Sequence, residues 1–353
     1  MRDNLLMDKE YSISLIERLS QAPGPSGFEA PVRDIIKKEM ERLGCTIEED
    51  GIGNLVCTFH GEPDGKTILF ASHMDEVGFM VSDILETGYI RLINLGGWST
   101  LTLPSSPVEV ISSKGEKHYG VIGQISPHFI KKGTPLTVPE LSDLFVDIGA
   151  SSDKEVKDVF GIRIGDIVVP VAPFKYVPET DRVFSKAFDD RIGCAVLIET
   201  ARQLKGSRNT CIFVFTTQEE VGERGSSVLK NYIHPDYSVI VEGAPADDMP
   251  SGPAHPLTCQ GKGAHIRLFD PTHIASREIV EALRMLAERD GIMIQEAIRT
   301  GGGTDAVTMS RAGRGSKAIV TGVATRYAHS HVSSISLFDY YELIRLLSGF
   351  AAL

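Results

Sequence analysis

A chain of 353 residues is long enough for two domains and a large core, and 42% hydrophobic with 24% charged residues is the balance of a soluble globular protein. Its 36 basic and 47 acidic residues leave a net charge of −11, with no basic run longer than KK. That excludes the concentrated cationic surface a nucleic-acid partner needs. No apolar run approaches the roughly 20 residues that span a bilayer, so no membrane partner is expected.

The opening MRDNLLMDKEYSISLIERLS is charged throughout and predicts no secretory signal. Five scattered cysteines (Cys45, Cys57, Cys194, Cys211 and Cys259) without a CxxC predict reduced thiols and a cytoplasmic protein. APGPSGFEA supplies a turn with a Ser26/Glu29 pair suited to helix capping. The helix APVRDIIKKEMERLG follows, with Val32, Ile35, Ile36, Met40 and Leu43 on one face and Gly44 placed to end it. NLVCTF and KTILFASH read as strands, the second too continuously apolar to be half exposed.

From 79 to 176 the runs shorten: YIRLINLGGW, SPVEVISSKG, HYGVIGQI, DLFVDIGAS and GIRIGDIVVPV are β-rich and separated by Gly, Pro, Ser and Asn. Only DKEVKDVF looks helical there, which predicts an inserted small β-barrel or sandwich. Beyond it the chain alternates. RIGCAVLIETARQLKG is a helix, TCIFVFTT a strand, SSVLKNYI a helix, YSVIVEG a strand, ASREIVEALRMLAERDG a helix, KAIVTGV a strand and FDYYELIRLLSGF a helix. Residues 1–78 and 177–353 are therefore expected to form one α/β domain around a mixed, largely parallel sheet flanked by helices.

The chemically suggestive residues cluster just after predicted strands. KTILFASHMDEVG carries His73 and Asp75, FSKAFDDRIG carries Asp189 and Asp190, FTTQEEVGERGS carries Glu219 and Glu220, VIVEGAP carries Glu242, and ATRYAHSH carries His329 and His331. Open α/β sheets bind ligands beyond the carboxyl ends of their strands, so these groups can converge. Histidine with carboxylate suits a divalent ion, and a surplus of carboxylates suggests two ions about 3.5–4 Å apart sharing one bridging carboxylate. Metal-activated water needs a base that is not itself a ligand, and two adjacent glutamates can divide those tasks if the chain turns between them. Each motif has a plainer meaning alone. EE is usually a solvated pair, HMD is little better than chance, DDR caps helices, GGGTDA is by default a flexible loop, and HSH can be a surface turn. The remaining histidines (His60, His118, His128, His234, His255, His265 and His273) are expected to be structural or at the surface.

The order of APGPSGFE, SHMDEVGFMV, GVIGQISPH, DLFVDIGASS, AFDDRIG, TQEEVGERG, GGGTDA and TRYAHS resembles the M42 family of metallo-aminopeptidases nearly end to end. The resemblance implies an aminopeptidase with two divalent ions, zinc or cobalt. Asp189 bridges them, His73 and Glu242 complete one, and Glu220 and His329 complete the other; Asp190 is the alternative bridge. It implies Glu219 as general base acting on a metal-bridging hydroxide nucleophile, and Asp75 behind the His73 imidazole. It also implies that the insertion pairs subunits, as dimers or as a tetrahedral dodecamer. Glu242 stands where many members have Asp, and His331 where proline is frequent. A deacylase or carboxypeptidase could use the same site; a glycosidase would leave His73 and His329 idle, and an inactive scaffold would be expected to have broken ligands.

Overall fold

The computed structural model describes residues 8–129, 137–204 and 206–353; part of the segment read for a leader (1–7) and part of the expected insertion (130–136) lie outside the described residues. The chain divides into two compact units. One holds the chain up to Glu76, Phe174–Ala328 and Val332–Leu353; the other holds Val77–Pro173 and His329–His331.

The first unit opens with helices α1 (Lys9–Gln21) and α2 (Ala30–Glu41) and strands β1 (Thr46–Glu49), β2 (Leu55–Phe59) and β3 (Thr67–His73). The second unit then supplies β4 (Gly78–Ile84), β5 (Ile90–Leu95), β6 (Pro107–Ile111), β7 (Lys117–Gly123), β8 (Phe145–Asp147), helix α3 (Asp153–Asp158) and β9 (Ile167–Pro170). Its six strands close into a barrel in the order β4-β5-β8-β7-β6-β9, around Phe79, Val81, Ile90, Val108, Val110, Ile122, Val146 and Val168. The expected barrel is therefore present.

The chain re-enters the first unit through β10 (Lys175–Val177) and β11 (Arg182–Ser185) and continues with α4 (Phe188–Gln203), β12 (Thr210–Thr216), α5 (Arg224–Leu229) and β13 (Tyr237–Pro245). β14 (Ala264–Asp270), β15 (His273–Ile274), α6 (Arg277–Asp290), β16 (Ile294–Ile298), α7 (Ala306–Met309), β17 (Lys317–Thr325), β18 (Ser333–Ser336) and α8 (Leu337–Ala351) complete it. The main sheet runs β1-β2-β12-β3-β13-β17-β14-β15, with β16 on β14. β12, β3, β13 and β17 are parallel, and β2 and β14 join their flanks antiparallel.

The two-residue period of a strand explains why those central strands are apolar without interruption. Ile68, Phe70, Phe213, Phe215, Val239, Val241 and Ile319 face a core shared with α1, α2, α4, α6 and α8. Their neighbours Leu69, Ala71, Val214, Ile240 and Val320 face a second core with Leu229, Ala306 and Met309. A strand buried on both faces has no polar side to show.

Two local expectations change. α2 stops at Glu41, with Gly44 three residues on at φ 75°, and neither Ser26 nor Glu29 caps it: Glu29 occupies the N-cap position without a capping hydrogen bond from its side chain. Both side chains point elsewhere, as described below.

His331 is buried within the barrel unit against the Trp98 ring (centroids 5.4 Å apart). Burial pushes its pKa down to about 4. The neutral ring fits the fold, so its stabilising contribution is complete above the unfolded value of about 6.5 and is lost as pH falls towards 4. That difference corresponds to about 3 kcal/mol. His331→Leu is expected to flatten the pH dependence of thermal unfolding of metal-free protein between pH 6.5 and 4; a slope matching the wild type would contradict this.

Candidate metal centre

β3 ends on His73, and the sheet register places Glu242 level with it, because Ile240 pairs with Ala71 one step earlier on the same face. The His73 Nε2 lies 3.3 Å from Asp189 Oδ1 and 3.7 Å from Glu242 Oε2. Gly243 permits this approach: a Cβ there would stand 2.6 Å from Phe188 O and 2.9 Å from Asp189 Cα.

Asp189 and Asp190, joined by a cis peptide bond, differ in what holds them. Asp190 is fully buried. Its Oδ2 accepts from Ser72 Oγ (2.5 Å) and the His73 amide (3.2 Å), and its Oδ1 accepts from the Gly193 amide (3.1 Å). Gly193 is needed there, since a Cβ would fall 2.4 Å from Asp190 Oδ1. Among the described residues, two groups have ligand atoms within 4.8 Å of one another: His73 with Asp189 and Glu220, and His73 with Asp190 and Glu242. Proximity alone does not choose between the aspartates.

Asp75 is fully buried beneath the doubled glutamate. Its Oδ1 accepts from the Glu219 amide (3.0 Å), and its Oδ2 accepts from the Glu220 amide (3.1 Å) and Ser26 Oγ (2.6 Å). The His73 Nδ1 is nearer the Asp75 carbonyl oxygen (3.1 Å) than its carboxylate (3.4 Å). The backbone thus fixes the tautomer as much as the side chain does, and directs Nε2 at the cluster.

The electrostatics describe crowded anions. Burial, with Glu242, Asp305 and Glu220 nearby, holds Glu219 well above the usual carboxylate range. Burial and the charges of Asp190 and Asp189 do the same to Glu242. Burial opposes charge on His73, but hydrogen bonds to Asp189 and Asp75 and the field of Glu219 raise its pKa well above normal. Carboxylates packed this closely around one imidazole fit a divalent-cation donor set, whose charge would relieve the repulsion and displace the imidazole proton.

His329 sits at φ 57° in the turn after β17 and groups with the barrel unit, where its Nδ1 is 2.8 Å from Gly97 O. With Nδ1 donating to that carbonyl, Nε2 is the lone-pair nitrogen. The structure therefore brings together His73, Asp75, Asp189, Glu219, Glu220 and Glu242 within one unit and assigns His329 to the other.

Asp305 escaped the sequence reading. GGGTDA was expected to be a loop, yet Asp305 is buried, accepts from Thr216 Oγ1 (2.6 Å) at the end of β12, and has Oδ1 without a partner. A second missed group is the buried trio of Glu76, Lys186 and Arg191. Lys186 Nζ is 2.6 Å from Glu76 Oε1, and Arg191 donates to the carbonyls of Met74, Leu19, Ala22 and Gly24, tying the segment before α2 to the end of β3. The acid–base mixture in HMDEV and SKAFDDR was the available signal.

Residues 53–346 match the family described as M42 glutamyl aminopeptidase. The chain is 34% identical to the putative aminopeptidase FrvX of Escherichia coli (strain K12), over 96% of this chain and 94% of that protein. It is 34% identical to the glutamyl aminopeptidase of Lactococcus lactis subsp. cremoris (strain MG1363), over 93% and 92%. A solved structure described as the TET1 peptidase of Pyrococcus horikoshii, which can assemble into a tetrahedron or a large octahedral shell, superposes with a TM-score of 0.85 at 32% identity, over 96% and 99%. The family match over residues 53–346 and relatives of 34% identity over more than nine-tenths of the chain agree: the chain belongs to the M42 aminopeptidase family and is a peptide hydrolase.

Proposed function

We propose that this chain removes N-terminal residues from peptides with two divalent cations, zinc or cobalt, held by His73, Asp189, Glu220, Glu242 and His329, and with Glu219 as general base. One observation carries the division of labour. A single carboxylate, Asp75, accepts the amides of both glutamates, so consecutive amides face the same way and the chain turns at Glu219–Glu220 instead of running on as a strand. Glu220 shares a ligand-atom group with His73 and Asp189, and Glu219, its neighbour in the pair, is in neither group. Asp189 suits the bridge because its side chain retains some exposure (15%) and its Oδ1 faces His73 Nε2. His329 enters from the family resemblance, supported by a donor Nδ1 that leaves Nε2 as the lone-pair nitrogen.

Bound ions would polarise the scissile carbonyl and lower the pKa of water towards 7. Glu219 takes the proton from the attacking water and returns it to the departing amine. A panel of aminoacyl-amides and peptides, run with metal analysis on the same preparation, tests the reading; cleavage confined to internal or C-terminal bonds would reject it.

The assembly reading follows the same resemblance: the barrel pairs two copies, and pairs meet again through the other unit. Twelve chains of 38.4 kDa give a tetrahedral particle of about 460 kDa. Light scattering is expected to report that mass or a stable dimer, and a monomer at every concentration would overturn barrel pairing. Five free thiols suit a reducing cytoplasm, and no helix among the described residues is long and apolar enough to cross a membrane.

A further inference from the structure

Strand β12 ends at Thr216, and the next four backbone amides enter neither a sheet nor a helix. Each is instead accepted by a side-chain oxygen from a remote segment. The Thr217 amide donates to Asn54 Oδ1 (3.0 Å), the Gln218 amide to Glu29 Oε1 (3.0 Å), the Glu219 amide to Asp75 Oδ1 (3.0 Å) and the Glu220 amide to Asp75 Oδ2 (3.1 Å).

The conformation so held is not one the chain prefers. Gln218 has φ 55°, a left-handed value that a non-glycine residue adopts only when its surroundings insist. The two upstream acceptors are themselves fixed. Asn54 is buried, and its Nδ2 donates to Asp50 Oδ2 (2.7 Å) and Gly225 O (3.0 Å), which forces Oδ1 towards Thr217. Gly225 admits this side chain, since a Cβ would stand 2.4 Å from Asn54 Oδ1 and 2.4 Å from Thr217 O. Glu29 is also buried, and the same Oε1 that accepts Gln218 accepts the Gly27 amide (2.8 Å). A helix N-cap position is thus occupied by a carboxylate that does not cap, although a capping oxygen is worth about 1 kcal/mol to a helix.

We infer that Glu29, seconded by Asn54, is a positioning residue for the reaction: by holding Gln218 it sets where Glu219 and Glu220 stand. The inference rests on the base-and-ligand reading of those two glutamates. Glu29 touches neither substrate nor ion and acts through the backbone of the turn. Losing one such support typically lowers activity or metal affinity 10–100-fold.

The test compares Glu29→Ala with Glu29→Gln in the full-length, metal-loaded protein. Gln keeps an acceptor oxygen of the same reach, and Ala removes it. Hydrogen–deuterium exchange over residues 216–226 is expected to quicken by about three- to tenfold in the Ala variant and to stay near wild type in the Gln variant. Peptide turnover is expected to split the same way: kcat falls at least about tenfold in the Ala variant, with KM within about twofold, and Gln restores it. Unchanged exchange in the Ala variant would overturn the holding role. Faster exchange with wild-type kcat would overturn the positioning role, and so would equal impairment of Ala and Gln, which would place the effect on the carboxylate's charge instead of its acceptor oxygen. Should the Ala variant not fold, Glu29→Asp, one methylene shorter, is expected to show the same exchange and kcat changes, and wild-type values there would overturn the inference. The exchange measurement needs no substrate, so it decides this point even if the wild type cleaves no N-terminal residue.

Discussion

Glu219→Gln is expected to lower kcat by about 10²–10⁴-fold while both ions stay bound, because it removes the proton acceptor and preserves the shape of the side chain. Glu220→Gln is expected to behave differently. An amide is a poor ligand for a divalent ion beside His73 and Asp189, so this variant should lose occupancy of one ion and lose activity as a consequence. Metal content and single-turnover rates on the two purified variants separate the cases. Neighbouring residues of identical chemistry should then give opposite metal contents, and equal metal loss in both would undo the assignment of base and ligand.

Asp75→Asn is the second large effect. The carboxylate accepts three hydrogen bonds, from the Glu219 amide, the Glu220 amide and Ser26 Oγ. Asparagine must turn its NH2 towards at least one of these donors, leaving a buried donor facing a donor at a cost of about 1–3 kcal/mol. The His73 tautomer survives, because Nδ1 is also satisfied by the Asp75 backbone carbonyl. The expected result is a kcat reduced about 10–100-fold with both ions retained at lower affinity. A variant with wild-type kcat would show that the turn is held without Asp75.

Much of the architecture was legible because burial on both faces leaves a plain mark. KTILFASH, TCIFVFTT, YSVIVEG and KAIVTGV are continuous apolar runs, and each became a central parallel strand. Elements that mix polar residues into buried positions were not legible. α1 hides Ser12 and Ser20 among Leu15, Ile16 and Leu19, so its stripe looks diluted. β14 buries His265 and Arg267 on one face, which suggests neither alternation nor a run.

The site divides in the same way. His73, Asp75, Glu219, Glu220 and Glu242 stand out because their residue types are out of place at the ends of apolar strands. The difference between Asp189 and Asp190 cannot be read from DD. It depends on Ser72 Oγ and the Gly193 amide reaching Asp190, and those contacts exist only once β3 and α4 have packed. Ser26 and Glu29 were legible as a capping pair only because capping is the commonest local use of that pattern; their actual partners, Asp75 and the Gln218 amide, lie far along the chain.

The central claim is that two ions per chain are required, and a stoichiometric titration tests it most directly. Chelated protein, shown by elemental analysis to be metal-free, is titrated with Zn²⁺ or Co²⁺ while peptide turnover and bound metal are read on the same samples. The account predicts no turnover at zero, a return of activity as ions bind, and a plateau at two ions per chain. Full turnover in the metal-free sample, or a plateau reached at one ion, would contradict it.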